Sequence, residues 1–378
     1  MIFLINTLLL IGAIYPTFLD AKIIGKIIKL RGKVTVLQPH KVAEVAASKG
    51  MAVAEETSIS TQEKSFAVVE YRTGSKLTIG PKSMVVLLPM GKQKSGIVNL
   101  LTGKLKARVT KKPSKSGDKK HHFIIKTKTA AMGVRGTDFQ TTYNAENEVT
   151  SLLVFGGKVA MAKIDPKEVA KIVDQALLSK NAVLVKIGHF SGVSNNSKMA
   201  SGPVKISPTQ FTRLKLNDTF LKGKISDEKF KKELSKTEKT FASMKSDEET
   251  ERGAKDNLTG RVRPTSGGYI DLESSLYIAP NAHAKFDKKV NVFSISEDKG
   301  DIKNDGNYTP PRGTLLDAKR GFVVDKSIPD SNTLERVKKL NEAIAGQIVK
   351  PKKAVKSELQ DIKDLENDAY DKYFQVPE

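Results

Sequence analysis

From Lys22 to about Lys163 the chain is a succession of short runs in which apolar and polar residues alternate, each broken by a turn that carries glycine. Ile23–Leu30 and Lys33–Leu37 flank Arg31-Gly32, and Phe66–Tyr71 and Lys76–Ile79 flank Thr73-Gly74. Met84–Leu88 follows Gly80-Pro81; Ile97–Leu101 and Leu105–Val109 surround Thr102-Gly103; Val149–Phe155 and Lys158–Ala162 surround Gly156-Gly157. A period of two buries one face of a strand, and glycine supplies the positive φ that tight turns need, so the spacing predicts an all-β domain over residues 22–203, a sandwich or a compact roll of antiparallel hairpins. One helical insertion is expected at about 165–180. There Asp165-Pro166 opens a stretch with Val169, Ile172, Val173 and Leu177 on one face, and Val183–Ile187 then returns to strand.

Past residue 203 the pattern changes, and the chain as a whole reads as α+β, with a charged helical C-terminal half that includes short extended segments. Residues 204–255 are charged and helical in period, with Ser226-Asp227-Glu228 capping a helix whose Phe230, Leu234, Phe241 and Met244 make a narrow stripe. Residues 256–330 hold a loose self-similarity between the stretches beginning at Tyr277 and Tyr308, each with a proline three residues on, and Gly267 to Asp271 resembles a further partial copy. These predict extended segments lying on a surface. Residues 331–378 predict two helices, about Asn332–Val349 and Val355–Phe374, separated by Pro351; from Val355 onward three lysines face seven acids.

Residues 1–21 read as a secretory signal: an uncharged apolar run over 2–19, Pro16 near its end, and a small residue, Ala21, where cleavage is expected. The expected location is therefore the periplasm or cell surface, with residues 2–19 as a membrane anchor if the signal is retained. The chain has no cysteine, which excludes disulfides, thiolate metal sites and a cysteine nucleophile. Its net charge of +22 points, behind a signal, to anionic wall polymers, lipopolysaccharide or acidic proteins as partners and away from nucleic acid. The charge is densest from Lys104 to Lys128, where ten basic residues meet one acid. Within it Lys111, Lys112, Lys115, Lys119 and Lys120 are candidate polyanion-binding residues.

The stretch from Lys126 to Tyr143 reads as a corner: small Ala130 and Ala131 allow close approach, Gly133 and Gly136 permit a reversal, and Thr137-Asp138 can satisfy neighbouring amides. Its segment GVRGTDF, formed by Gly133, Val134, Arg135, Gly136, Thr137, Asp138 and Phe139, resembles the hallmark of the FecR domain. The flanks FAVVEYRTGSKLTIGPKSMVVL, VNLLTGKLKARV and SLLVFGGKVAM are similar to that family's strand-turn-strand segments, so the resemblance covers about Gly25 to Val193. Lys128 stands where the family commonly has proline, and Gly156 where an acid is frequent. The resemblance implies a non-enzymatic module for protein interaction, scaffolding or signalling. Family members that regulate sigma factors carry a cytoplasmic helical region and a membrane helix ahead of the domain. Here it follows the signal directly, which argues against classical transmembrane sigma regulation; signalling through a separate membrane partner is what the resemblance implies in general terms.

Catalytic chemistry is not indicated. No nucleophile elbow, His-Glu-x-x-His, P-loop or dinucleotide-binding glycine pattern is present. His121-His122 lacks a third ligand at useful spacing, so neither metal nor cofactor is expected. Arg135 is expected to satisfy carbonyls and a nearby carboxylate rather than bind a ligand. The leading expectation is an exported, non-enzymatic envelope protein with a protein partner; the alternative is a polyanion binder acting through residues 104–128.

Overall fold

A computed structural model describes residues 22–88, 96–110, 123–165, 170–217, 226–244, 267–278, 286–287, 292–293, 300–327 and 332–344. The expected signal, the Lys111–Lys120 loop, His121-His122 and the helix expected at 355–374 lie outside these residues. Two β-sheets face each other, joined by one strand that belongs to both. The first runs in the order Ala52–Ala54, Ile23–Arg31, Phe66–Tyr71, Lys76–Ile79, the second half of Gly96–Arg108, Asp138–Asn144, Val149–Gly156, His189–Ser194 and Val204–Lys205. The second runs Val45–Ala46, Val34–Leu37, Ser58–Thr61, Ser83–Leu88, the first half of Gly96–Arg108, Phe123–Lys126, Ala130–Val134, Lys158–Lys163 and Val183–Lys186. Neighbours are antiparallel except Gly96–Asn99 against Phe123–Lys126, which is parallel.

The core between the sheets is mostly aliphatic. Val69, Leu77, Leu105, Leu152 and Val154 of the first sheet meet Val36, Ile59, Leu87, Val98, Ile125, Met132 and Val159 of the second. A strand placed on either sheet must alternate, because only one of its faces meets this core.

Alternation located the strands but not their partners. Only Phe66–Tyr71 and Lys76–Ile79 form the expected hairpin, around Gly74 at φ +81°. The runs on either side of Gly32 and of Gly156-Gly157 do not pair; each glycine turn sends the chain to the opposite sheet. Ile97–Leu101 and Leu105–Val109 are one bent strand rather than a hairpin. Gly103, at φ +92°, makes the bend: a Cβ there would lie 2.2 Å from Ser83 Oγ and 2.5 Å from the Lys82 carbonyl oxygen. Facing sheets and paired strands produce the same period-two pattern, since both bury alternate residues against a common core.

Both outer faces are covered as well. Helix α1 (Ala170–Leu178) sets Val173 and Leu177 on Ile124, Ala131 and Ala162 of the second sheet. On the first sheet, Leu153, Phe155 and Phe190 are covered by Phe211 and Leu214 of α2 (Pro208–Leu216), by Ile270 and Tyr277, and by Phe241 of α3 (Asp227–Ser243). Val149–Phe155 is therefore buried on both faces, which explains its unbroken apolar run. The expected cap of α3 is present, with Ser226 Oγ accepting from the Lys229 amide.

The C-terminal half is less helical than its charge pattern predicts. Beside α2, α3 and α4 (Thr333–Ile344), its described residues form four short hairpins: Tyr269–Ile270 with Tyr277–Ile278, Phe286–Asp287 with Val292–Phe293, Asp301–Ile302 with Tyr308–Thr309, and Thr314–Asp317 with Gly321–Val324. The self-similar unit begins at a glycine rather than at the tyrosine. A Cβ on Gly268 or on Gly300 would lie 2.7 Å from the hydroxyl of Tyr277 or Tyr308 respectively, so each hairpin closes a tyrosine over a glycine that leaves room for it. Both tyrosines are buried, Tyr277 stacked on Phe190 at 5.2 Å and Tyr308 on Tyr269 at 6.0 Å. Leu276, Ile278, Ile302, Phe322, Leu340 and Ile344 complete a cluster that rests on Val149 of the first sheet.

Candidate functional site

The corner at residues 133–139 links the two sheets. Ala130–Val134 lies in the second sheet beside Lys158–Lys163, and Asp138–Asn144 lies in the first beside Val149–Gly156. Val134 and Phe139 enter the core from either end, fully buried. Gly136 turns the chain at φ +71°. The returning link packs against it: Gly157 has φ +81°, and a Cβ on it would lie 2.7 Å from Thr137 Cγ2. The Thr137 carbonyl accepts from the Val109 amide at 2.8 Å. These contacts make the segment a keystone of the frame.

Its charges are arranged differently from expectation. Asp138 pairs with Arg108 of the neighbouring strand at 3.2 Å, opposite it in register. Arg135 is exposed and makes no hydrogen bond or ion pair with the described residues. Gly136 tips Arg135 away from the sheet before Asp138 re-enters it, so residues three apart in sequence face different surroundings. Thr137 Oγ1 and Asp138 Oδ1 are buried without a hydrogen-bond partner.

Of the basic residues counted between 104 and 128, those described here do not form one patch. Arg108 meets Asp138, Lys128 meets Glu148 at 2.6 Å, and Lys106 donates to the Leu214 and Lys215 carbonyls at the end of α2, at 3.5 and 3.3 Å. Lys104 points the same way as Lys106, outward from the first sheet, because Leu105 between them enters the core.

These two lysines line a cleft of about 920 Å³ between the first sheet and the C-terminal layer, with Gln140, Glu273, Asp305 and Asn307 among its walls. Burial lowers the pKa of Lys104, opposed by the fields of Glu273, Asp271 and Asp305. Burial raises that of Asp271, whose carboxylate accepts from the Ser274 amide at 2.7 Å and hydroxyl at 2.6 Å. Sequence reasoning missed the cleft. The only trace was the alternation of Lys104-Leu105-Lys106-Ala107, which sets two lysines on the face opposite the core, and nothing local announces what covers that face.

Carboxamides hold the layer in place. Gln210 of α2, fully buried, accepts from the Ile270 amide at 2.8 Å and donates to the Ile270 and Gly306 carbonyls at 2.6 and 3.1 Å. Asn341 of α4 treats Phe322 alike, accepting from its amide at 2.6 Å and donating to its carbonyl at 2.8 Å. Each helix thus offers one side-chain amide as a neighbouring strand would offer a peptide group. Asn147, in the turn between Asp138–Asn144 and Val149–Gly156, donates to the carbonyls of Ser274 and Ala318 at 2.6 and 3.0 Å.

Among the described residues no cluster of three or more metal-ligating side chains occurs, and no helix is long and apolar enough to cross a membrane. Residues 57–160 match the family model described as FecR protein. Two solved structures of a candidate anti-sigma factor from Parabacteroides distasonis are each similar at 16% identity over 38% of this chain and 59% of that one, with a TM-score of 0.29. A cell surface anchoring domain is similar at 25% identity over 17% of this chain and 82% of its own, with a TM-score of 0.16. The chain thus spans about 59% of the length of the anti-sigma structures it matches. No curated protein matches.

Proposed function

We propose that this chain, which carries a FecR domain over residues 57–160, is a non-enzymatic interaction module exported to a bacterial cell envelope, where it scaffolds or signals through a protein partner. The observation that carries this reading is the corner within that domain. Seven consecutive residues tie the two sheets together, yet the one guanidinium among them is held in solvent, and no described residue neutralises it. An arginine presented on a rigid frame suits a carboxylate-bearing protein surface, since its planar donors can engage in pairs without further ordering. The C-terminal layer supports the frame rather than hanging from it as an arm, because α2, α4 and the hairpins at 269–278, 301–309 and 314–324 spend apolar residues on clusters that rest on the first sheet.

The test is affinity capture of the full chain from cross-linked envelope extract, eluted with rising salt. A stoichiometric protein retained at high salt by the wild type and released by Arg135→Glu is the expected result. Recovery of wall polymer or lipopolysaccharide alone, lost at moderate salt, would replace this reading with polyanion binding through Lys111, Lys112, Lys115, Lys119 and Lys120, because exposed charges are screened over a Debye length of about 8 Å.

A further inference from the structure

The cleft between the first sheet and the C-terminal layer carries an unbalanced set of groups. Its floor is the outer face of the sheet, where Lys104 lies opposite Thr142 and Lys106 opposite Gln140. Its far wall is the layer, with Glu273 exposed and Asp305 half-buried. Its volume of about 920 Å³ suits a small ligand, and its lining of charges and amides suits a polar one.

Most of its charged groups are already committed. Lys82 pairs with Glu63 at 2.7 Å, Lys106 caps the end of α2 and lies 4.8 Å over the Phe155 ring, Asp317 pairs with Arg320, Asp271 is turned inward on Ser274, and Asp305 accepts from the Asn307 amide at 2.9 Å and from its side-chain NH2, keeping its charge but no ion pair. Two groups are not committed. The ammonium of Lys104, a half-buried residue, forms no ion pair or hydrogen bond with a described residue. The side-chain carbonyl oxygen of Asn307 is buried and receives no donor. An ammonium in no close ion pair and an acceptor without a donor thus share one cavity, in the field of the Glu273, Asp271 and Asp305 carboxylates. A simple anion would be drawn to Lys104 and repelled by Glu273 and Asp305; a simple cation would meet the reverse. A molecule carrying both charges, a few ångströms apart, answers both walls.

We propose that this cleft binds a small zwitterion of the amino-acid or dipeptide class, its carboxylate on the Lys104 ammonium and its ammonium group between Glu273 and Asp305, with Asn307 accepting from a ligand N–H. The inference rests on the cleft alone and is independent of any envelope partner.

Isothermal titration of the full chain with alanylalanine tests it, alongside the same dipeptide amidated at its C-terminus and acetylated at its N-terminus. The expected result is saturable, one-to-one binding of alanylalanine, weakened at least about tenfold by either blocking group and by Lys104→Gln, a loss that melts the variant's binding isotherm and not its fold. Absence of saturable binding, equal binding of the amide, or undiminished binding by Lys104→Gln would overturn the proposal. Should Lys104→Gln not fold, Glu273→Gln, a change at an exposed residue, is expected to narrow the preference for the free over the acetylated dipeptide, Asp305 remaining; an unchanged preference would overturn it.

Discussion

The sandwich and the layer that covers it are held together by different means. Between the sheets the core is built mostly from Val, Ile, Leu and Ala, with a few rings such as Phe139 and Tyr143 among them, and long backbone ladders satisfy the peptide groups. In the layer the strands are two to four residues long, too short for ladders to carry the structure. Aromatic rings replace aliphatic interdigitation there: Phe155, Phe211 and Phe241 form a chain with centroids 5.6 and 5.2 Å apart, and Tyr269, Tyr308 and Phe322 form another. Carboxamides replace ladder partners at Ile270 and Phe322. A large ring buries much area from a single backbone position, and a glutamine or asparagine can satisfy an amide and a carbonyl at once, so a layer of small hairpins suffices where a sheet would need many residues.

The sharpest separation of the two regions comes from truncating one anchor in each. Phe139→Ala removes a fully buried ring at the join of the sheets, with an expected cost of about 3–5 kcal/mol to global unfolding, seen as one shifted transition in chemical denaturation by every probe. Gln210→Ala strands the amide and carbonyl of Ile270 and the carbonyl of Gly306, at about 2–4 kcal/mol. Its effect is local: amide exchange at Ile270 and Tyr277 quickens while exchange at Leu77 does not. Equal quickening at all three positions would mean that layer and sandwich open as one unit.

Much of the sandwich was legible in the sequence because its determinants are local. Alternation marks the strands, glycine marks the corners, and GVRGTDF names the corner that ties the sheets. Pairing was not legible at Gly32, Gly103 or Gly157, since a strand that crosses to the opposite sheet alternates as a hairpin partner does. Nor was the covering of the first sheet, because the residues that perform it, Phe211, Tyr277, Tyr308 and Phe322, are scattered among charged segments whose period suggested helices. Nor was the partner of Asp138 legible: Arg135 is its near neighbour in sequence, but Arg108 is its neighbour in register.

Two smaller effects refine the contrast. Burial raises the folded-state pKa of Asp271 above its unfolded value, so its contribution is fully present below the unfolded pKa and is lost as pH rises through the folded one. Asp271→Asn keeps an acceptor for Ser274 and removes that loss. Its melting temperature, relative to wild type, is expected to be higher at about pH 7 than at about pH 4; an unchanged difference would place the carboxylate in water. In the sandwich, the Tyr71 hydroxyl is buried without a partner, and its ring meets Phe123 edge-on at 5.5 Å. Tyr71→Phe keeps the ring contact and is expected to stabilise by about 1 kcal/mol, read from the denaturation midpoint.

The strand Gly96–Arg108 has a mechanical consequence. Because one continuous backbone serves both sheets, shear between them is resisted by covalent bonds as well as by side-chain packing. A pull on the Arg135 corner is met from both directions, through Ala130–Val134 into one sheet and through Asp138–Asn144, against the same strand, into the other. The frame transmits force as a stiff body, and yielding is left to the outer layer, where the contacts are rings and amides.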